Sequence, residues 1–132
     1  MRGEFDCLAA TAVLTWLALF VASIAATRAW SVKGLQIAFG NREQLPEATP
    51  FSGRAARAAR NLFETLVLFT ALLLAVQSAG KRGPVTVLGA MLFFWSRLVY
   101  WPVYLIGIPY FRTLLWWLSI IGLALLVSAL LI

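Results

Sequence analysis

The sequence predicts an all-α integral membrane protein, an antiparallel bundle of four transmembrane helices forming a single domain over residues 1–132. Three observations predict it: four long apolar runs, short turns joining the last three of them, and too little charge for a soluble domain. Of 132 residues, 62% are hydrophobic and 12% are charged, against about 45–50% and about 25% in soluble domains. A soluble fold of this length has too little interior to hide so much apolar surface. Lipid as solvent removes that need.

The first run, Leu8 to Thr27, carries no charge and matches the roughly 20 apolar residues that cross a bilayer as a helix. It is not read as a secretory signal, because Arg2 is offset by Glu4 and Asp6, the run is too long for an h-region, and no small-residue cleavage site follows. Arg28 to Arg60 is the polar stretch, punctuated by Gly34, Gly40, Pro46, Pro50 and Gly53. The first helix is expected to continue to about Phe39, where Gly40 stops it. Ser52 is the expected N-cap of the next helix. The second span is expected at about 62–79, interrupted by Glu64. Gly80-Lys81-Arg82-Gly83-Pro84 then forms a tight turn. The third span is expected at about 85–105, interrupted by Arg97 and Pro102. Gly107-Ile108-Pro109 makes another turn, and the fourth span is expected at about 114–132. Turns this short force neighbouring helices to run antiparallel.

Orientation follows from the cations flanking the spans. Arg28, Lys33, Arg42, Arg54, Arg57, Arg60 and Arg112 lie on one side, against Arg2, Lys81 and Arg82 on the other. The expectation is a cytoplasmic loop at 28–60 with both termini outside. The net charge of +6 therefore suits an anionic leaflet, and nucleic acid is not an expected partner. The chain has no histidine and one cysteine, Cys7, so no metal site and no intrachain disulfide are expected. Cys7 reads as a small buried apolar side chain.

Charged and polar groups inside the spans are the candidates for function, because an ionisable side chain at mid-membrane costs about 2.5–3.5 kcal/mol on insertion scales. On the second helix, with Arg57 at 0° and about 100° per residue, Asn61 falls near +40°, Glu64 near −20°, Arg60 near −60° and Arg54 near +60°. One polar stripe of about 120° thus runs from the cytoplasmic surface into the membrane. On the third helix Arg97, Tyr100 and Tyr104 lie within about 60° of one another. Arg112, Thr113 and Trp116 open the fourth helix. Neither Glu64 nor Arg97 is expected to face lipid. Together these groups suggest a basic, aromatic-walled pocket open to the cytoplasm. Arginine forks match carboxylates, and a glutamate among them suits an ammonium group. The same residues also fit a structural reading, with arginines snorkelling to lipid phosphates, aromatics in an interfacial belt, and Glu64 paired with Arg60 or Arg97.

Arg57-Ala58-Ala59-Arg60-Asn61-Leu62-Phe63-Glu64 resembles the second-helix signature of the MAPEG family, the membrane-associated proteins of eicosanoid and glutathione metabolism. Arg97, Tyr100 and Tyr104 are similar to its third-helix pattern. Pro109-Tyr110-Phe111-Arg112-Thr113 resembles the turn that delivers its thiol-activating arginine, and Val32-Lys33 with Ala38-Phe39-Gly40-Asn41 resembles the end of its first helix. The resemblance implies a homotrimer with glutathione, as co-substrate and not as a metal cofactor, bound between neighbouring subunits. It implies that Arg57, Arg60, Asn61 and Glu64 grip glutathione, and that Arg97, Tyr100 and Tyr104 belong to the same site. Lys33 would come from the adjoining subunit, Arg112 would stabilise the thiolate with Thr113 beside it, and Trp116 would wall an apolar electrophile. The implied activity is a membrane-bound glutathione transferase, possessing or lacking peroxidase activity, in a bacterial inner membrane. The alternatives are a non-catalytic membrane protein holding an anionic lipid or peptide, and a purely structural trimer.

Overall fold

The computed structural model describes residues 3–132, so Arg2, counted above on the less basic side, lies outside them. Five helices follow one another: α1 (Glu4–Thr27), α2 (Val32–Phe39), α3 (Pro50–Ser78), α4 (Pro84–Ile106) and α5 (Pro109–Leu131). Four of them, α1, α3, α4 and α5, are long and apolar enough to cross a membrane. Strands are absent among the described residues.

Two local features depart from expectation. The first helix does not run on to Phe39. Arg28 adopts a left-handed conformation (φ 55°) that ends α1, and α2 starts afresh behind Ser31, whose hydroxyl accepts from the Gly34 amide. Gly40 does stop α2. The polar stretch is also not a loop as far as Arg60, because α3 begins at Pro50. Its N-cap is Thr49, not Ser52. The Thr49 hydroxyl accepts from the Ser52 amide at 3.0 Å, and the Ser52 hydroxyl accepts from the Thr49 amide at 2.9 Å. This reciprocal pairing satisfies two orphan donors, and Pro50 at the first helical position has no amide to satisfy. Ser52 thus closes the cap from three residues inside. The 29 residues of α3 extend about 43 Å at 1.5 Å per residue, more than a hydrocarbon core of about 30 Å. That leaves about 13 Å of helix beyond what the hydrocarbon core requires.

The bundle is held by two buried apolar layers. Near the Arg57 end, Leu14, Ala18, Ala58, Ala59, Leu62, Tyr100, Val103, Tyr104 and Leu115 pack together. Near the other end, Cys7, Phe69, Leu73, Ala90, Phe93, Phe94, Leu123 and Leu126 do so, with the Phe69 and Phe93 rings 4.4 Å apart. The backbones of α4 and α5 come close together at Gly89 and Gly122. A Cβ on either glycine would sit 2.7 Å from the other's carbonyl oxygen. Small residues at such crossings let backbones touch, which is how helices gain packing energy where lipid offers no hydrophobic drive.

At the end away from Arg57, Glu4 is buried. Its carboxylate accepts from Arg82 Nη2 at 2.8 Å and from the Thr86 hydroxyl at 2.7 Å, and the Thr86 hydroxyl in turn accepts from the Gly83 amide. One carboxylate thereby staples the start of α1 to the start of α4. Sequence reading treated Glu4 only as a charge offsetting Arg2.

Candidate functional site

The helical register of α3 decides which polar groups meet. Its buried residues include Ala55, Ala58, Leu62, Thr65, Phe69 and Leu73. At about 100° per residue this core face centres roughly 130° from Arg57. Asn61 lies at the edge of that face, and Arg57 reaches inward on a long side chain. Arg60 and Glu64 lie about 150–170° from the face centre and are exposed on the outside of the chain. The expectation that Glu64 points into a shared internal cavity is therefore corrected within one chain. The stripe is real, but its Arg60 and Glu64 side faces away from the bundle. Among the described residues, no ion pair joins Glu64 to Arg60 or Arg97.

Arg57, Asn61, Tyr100, Tyr104, Arg112, Thr113 and Trp116 surround one open cavity of about 240 Å³. Arg57 Nε donates to the Tyr104 hydroxyl at 3.2 Å. The Arg112 guanidinium lies over the ring of the same tyrosine, 4.6 Å from its centroid. Tyr104 stands edge-on to Tyr100 at 5.5 Å. The Arg97 guanidinium covers the Tyr100 ring at 4.3 Å. Two arginines are thus each seated on a tyrosine face, and the two tyrosines brace one another. Such contacts fix a guanidinium and leave its positive charge intact. Among the described residues, no carboxylate lies within ion-pair distance of Arg57 or Arg112.

Arg97 does not line the cavity but lies behind it. It is 0% exposed, and its Nη2 donates to Asn61 Oδ1. Nε and Nη1 have no hydrogen-bond partner. Arginine has only donors, so the Asn61 atom facing it must be the oxygen. The amide NH₂ of Asn61 is consequently the end left for the cavity. Sequence reading placed Arg97 with the ligand-gripping set. Its place in the fold makes it the group that orients Asn61, and no spacing rule distinguishes those positions on one helix face.

Lys33 is not part of this cavity within the chain. It lies on α2, at a hollow of about 380 Å³ shared with Thr27, Arg28, Ser31, Gly34, Ile37 and the 44–46 segment. Arg54 also leaves the stripe. Its Nε donates to the Leu105 carbonyl at 2.9 Å, satisfying one of the orphan acceptors at the end of α4. Thr113 lines the cavity, with its hydroxyl bonded back to the Pro109 carbonyl at 3.1 Å. No cluster of His, Cys, Asp and Glu able to hold a metal occurs among the described residues.

The arrangement is a donor-rich, cationic recess walled by aromatic rings at one end of a transmembrane bundle. It can bind anionic, carboxylate-bearing groups and stabilise negative charge. A family model described as MAPEG family matches residues 6–132. No curated protein and no solved structure matches the chain.

Proposed function

The chain belongs to the MAPEG family, and from that premise we propose that it is a membrane-bound glutathione transferase, activating the glutathione thiolate for attack on an apolar electrophile. At the family level, membership carries membrane glutathione-transferase and related functions, in a multi-pass protein with a lipid environment. The finer reading rests on one observation: Arg57, Asn61, Tyr100, Tyr104 and Arg112 converge on a single recess.

In this reading Arg57 and the Asn61 amide bind glutathione carboxylate and carbonyl oxygens, and the tyrosines bear on its peptide portion. Arg112, fixed over Tyr104 and with no carboxylate at ion-pair distance among the described residues, holds the thiolate. A neighbouring guanidinium favours the thiolate over the thiol and lowers the thiol pKa from about 8.5 toward neutrality. The anionic sulfur is then the nucleophile, and its proton leaves to water. Trp116 walls the electrophile side, with Thr113 beside the sulfur.

The recess in one chain is open and about 240 Å³ in volume, and the outward-facing Arg60 and Glu64 have no role inside the bundle. A homotrimer places these groups, and Lys33 of an adjoining subunit, around the same ligand. Lys33 would meet a carboxylate as a point charge, and Glu64 would meet the ammonium group. The proposed setting is a bacterial inner membrane, with the 28–60 segment cytoplasmic and both termini outside, as the cation asymmetry supports.

The test is stopped-flow thiolate absorbance with glutathione. Arg112→Ala is expected to lose the thiolate signal while native mass spectrometry still detects bound glutathione. An unchanged thiolate signal rejects the role of Arg112. Bound anionic lipid, with no binding of glutathione to the unaltered protein, rejects the transferase reading in favour of a lipid-binding one.

A further inference from the structure

The short helix α2 has no part in the proposed chemistry beyond Lys33, yet its surroundings are specific. After the left-handed turn at Arg28, Gly34 packs against the backbone of that turn. A Cβ at Gly34 would fall 1.7 Å from the Arg28 carbonyl oxygen, so only glycine permits the approach. At the other end, Arg42 returns to α1: its Nη1 donates to the Ser23 hydroxyl at 2.9 Å, and its Nε donates to the Ala38 carbonyl at 3.2 Å. Had α2 continued the axis of α1, Ala38 would stand about 22 Å beyond Ser23 at 1.5 Å per residue, out of reach of one arginine side chain. The helix therefore folds back beside the last turn of α1, at the level where that span leaves the membrane.

In this position α2 divides into two faces. Gly34 is buried, and Ile37 and Ala38 are partly buried. Val32, Leu35 and Phe39 fall within about 60° of one another on the other face. Val32 is 76% exposed and Phe39 89% exposed, and Trp30 just ahead of the helix is 69% exposed. Arg28, Lys33 and Arg42 line hollows on the other side of α2 with Gly34 and Ile37, and Arg54, Arg57, Arg60 and Arg112 belong to the same end of the bundle. Against them the segment from 28 to 60 carries Glu43 and Glu47.

We propose that α2 lies flat in the headgroup layer of an anionic leaflet, with Trp30, Val32, Leu35 and Phe39 dipping toward the acyl chains. The partner is anionic phospholipid. An exposed apolar stripe on a helix whose other side is basic, placed where a span ends, is complementary to that boundary and not to water. Tryptophan at the edge of the stripe suits the same layer. The two Arg28 and Arg42 tethers hold the helix at this depth, and the leaflet thereby sets where Lys33 stands.

The test uses the full chain in nanodiscs, on a Cys7→Ala background. Nitroxide labels are placed singly at Phe39→Cys and Asn41→Cys, both exposed positions. Collisions with oxygen report lipid, and collisions with a water-soluble nickel chelate report solvent. The expected result is a Phe39 label broadened by oxygen and shielded from nickel, and an Asn41 label broadened by nickel. Replacing phosphatidylglycerol with phosphatidylcholine should shift the Phe39 label toward nickel access. Hydrogen exchange of the unsubstituted protein, slower over Val32–Phe39 in phosphatidylglycerol than in phosphatidylcholine discs, checks the same claim without labels. A nickel-accessible Phe39 label in anionic discs overturns the proposal. So does a label shielded from both reagents with dipolar coupling between copies, which would mean that α2 docks on another subunit. Because no readout is catalytic, either result leaves the transferase reading to its own test.

Discussion

Loss of the Asn61 side chain should destabilise the bundle, and loss of the Arg97 charge should restore it. Arg97 is fully buried, Nη2 has Asn61 as its partner, and Nε and Nη1 have none. Asn61→Ala removes the remaining hydrogen bond to a buried charge, which is worth about 1.5–3 kcal/mol. The contact with the Tyr100 ring persists and cushions the charge by about 2 kcal/mol, but a ring face does not replace the lost hydrogen-bond acceptor. The expected cost is about 2–3 kcal/mol, roughly a 30- to 150-fold fall in the folded-to-unfolded ratio. Adding Arg97→Met removes the stranded charge and keeps an unbranched apolar side chain of fair length. Replacing buried ionic groups by apolar ones is often neutral or stabilising by about 1–4 kcal/mol. The double variant should therefore be at least about 1 kcal/mol more stable than Asn61→Ala alone. Reversible unfolding in mixed micelles with increasing SDS, followed by tryptophan fluorescence, measures each step. An Asn61→Ala variant as stable as the unaltered protein, or a double variant no better than the single one, refutes the reasoning.

The α4–α5 crossing makes a second prediction: Gly122→Leu, which drives a side chain into the Gly89 carbonyl and the Phe93 backbone, should cost at least about 1–3 kcal/mol and lower the midpoint of the same SDS titration. Thr49→Ala removes the capping hydroxyl of α3 and should cost about 1 kcal/mol, read as faster hydrogen exchange confined to the first turn of that helix. The Glu4 hydrogen bond raises the Arg82 guanidinium above its ordinary, already very basic value. A cation with a raised folded-state pKa gives stability that is complete below its unfolded pKa and lost only as pH rises past the folded one. Thermal stability from this pair should thus stay flat from neutral pH through the moderately alkaline range, and a decline there that is absent in Arg82→Gln would contradict it.

The polar stripe of α3 shows how far residue spacing carries. Its 120° arc is correct as a pattern, but a pattern has no zero of angle. Ala55, Ala58, Ala59 and Leu62 are small or apolar enough to admit α1 and α4, and that packing turns Arg60 and Glu64 outward. Of the stripe, only Arg57 and Asn61 line the recess. The third helix was more legible, because Arg97, Tyr100 and Tyr104 all lie on its buried side. What spacing did not reveal there is depth: one turn separates Arg97, sealed behind the recess, from Tyr100 at its wall, and two turns from Tyr104. Capping chemistry was nearly legible as well. Thr49-Pro50-Phe51-Ser52 contains both partners of the box, and the reciprocal geometry assigns the cap to the first of them.

By itself the sequence determined that this chain lives in a membrane as an all-helical protein with four spans. Long apolar runs leave the backbone no partner in lipid except itself, and short glycine- and proline-marked turns leave consecutive helices no choice but to reverse. Tertiary packing alone decided the rotation of each helix about its axis, the burial of Arg97 behind Asn61, the Glu4–Arg82 staple and the fold-back of α2. Those depend on which distant surfaces meet, and side-chain periodicity along one helix holds no information about its neighbours.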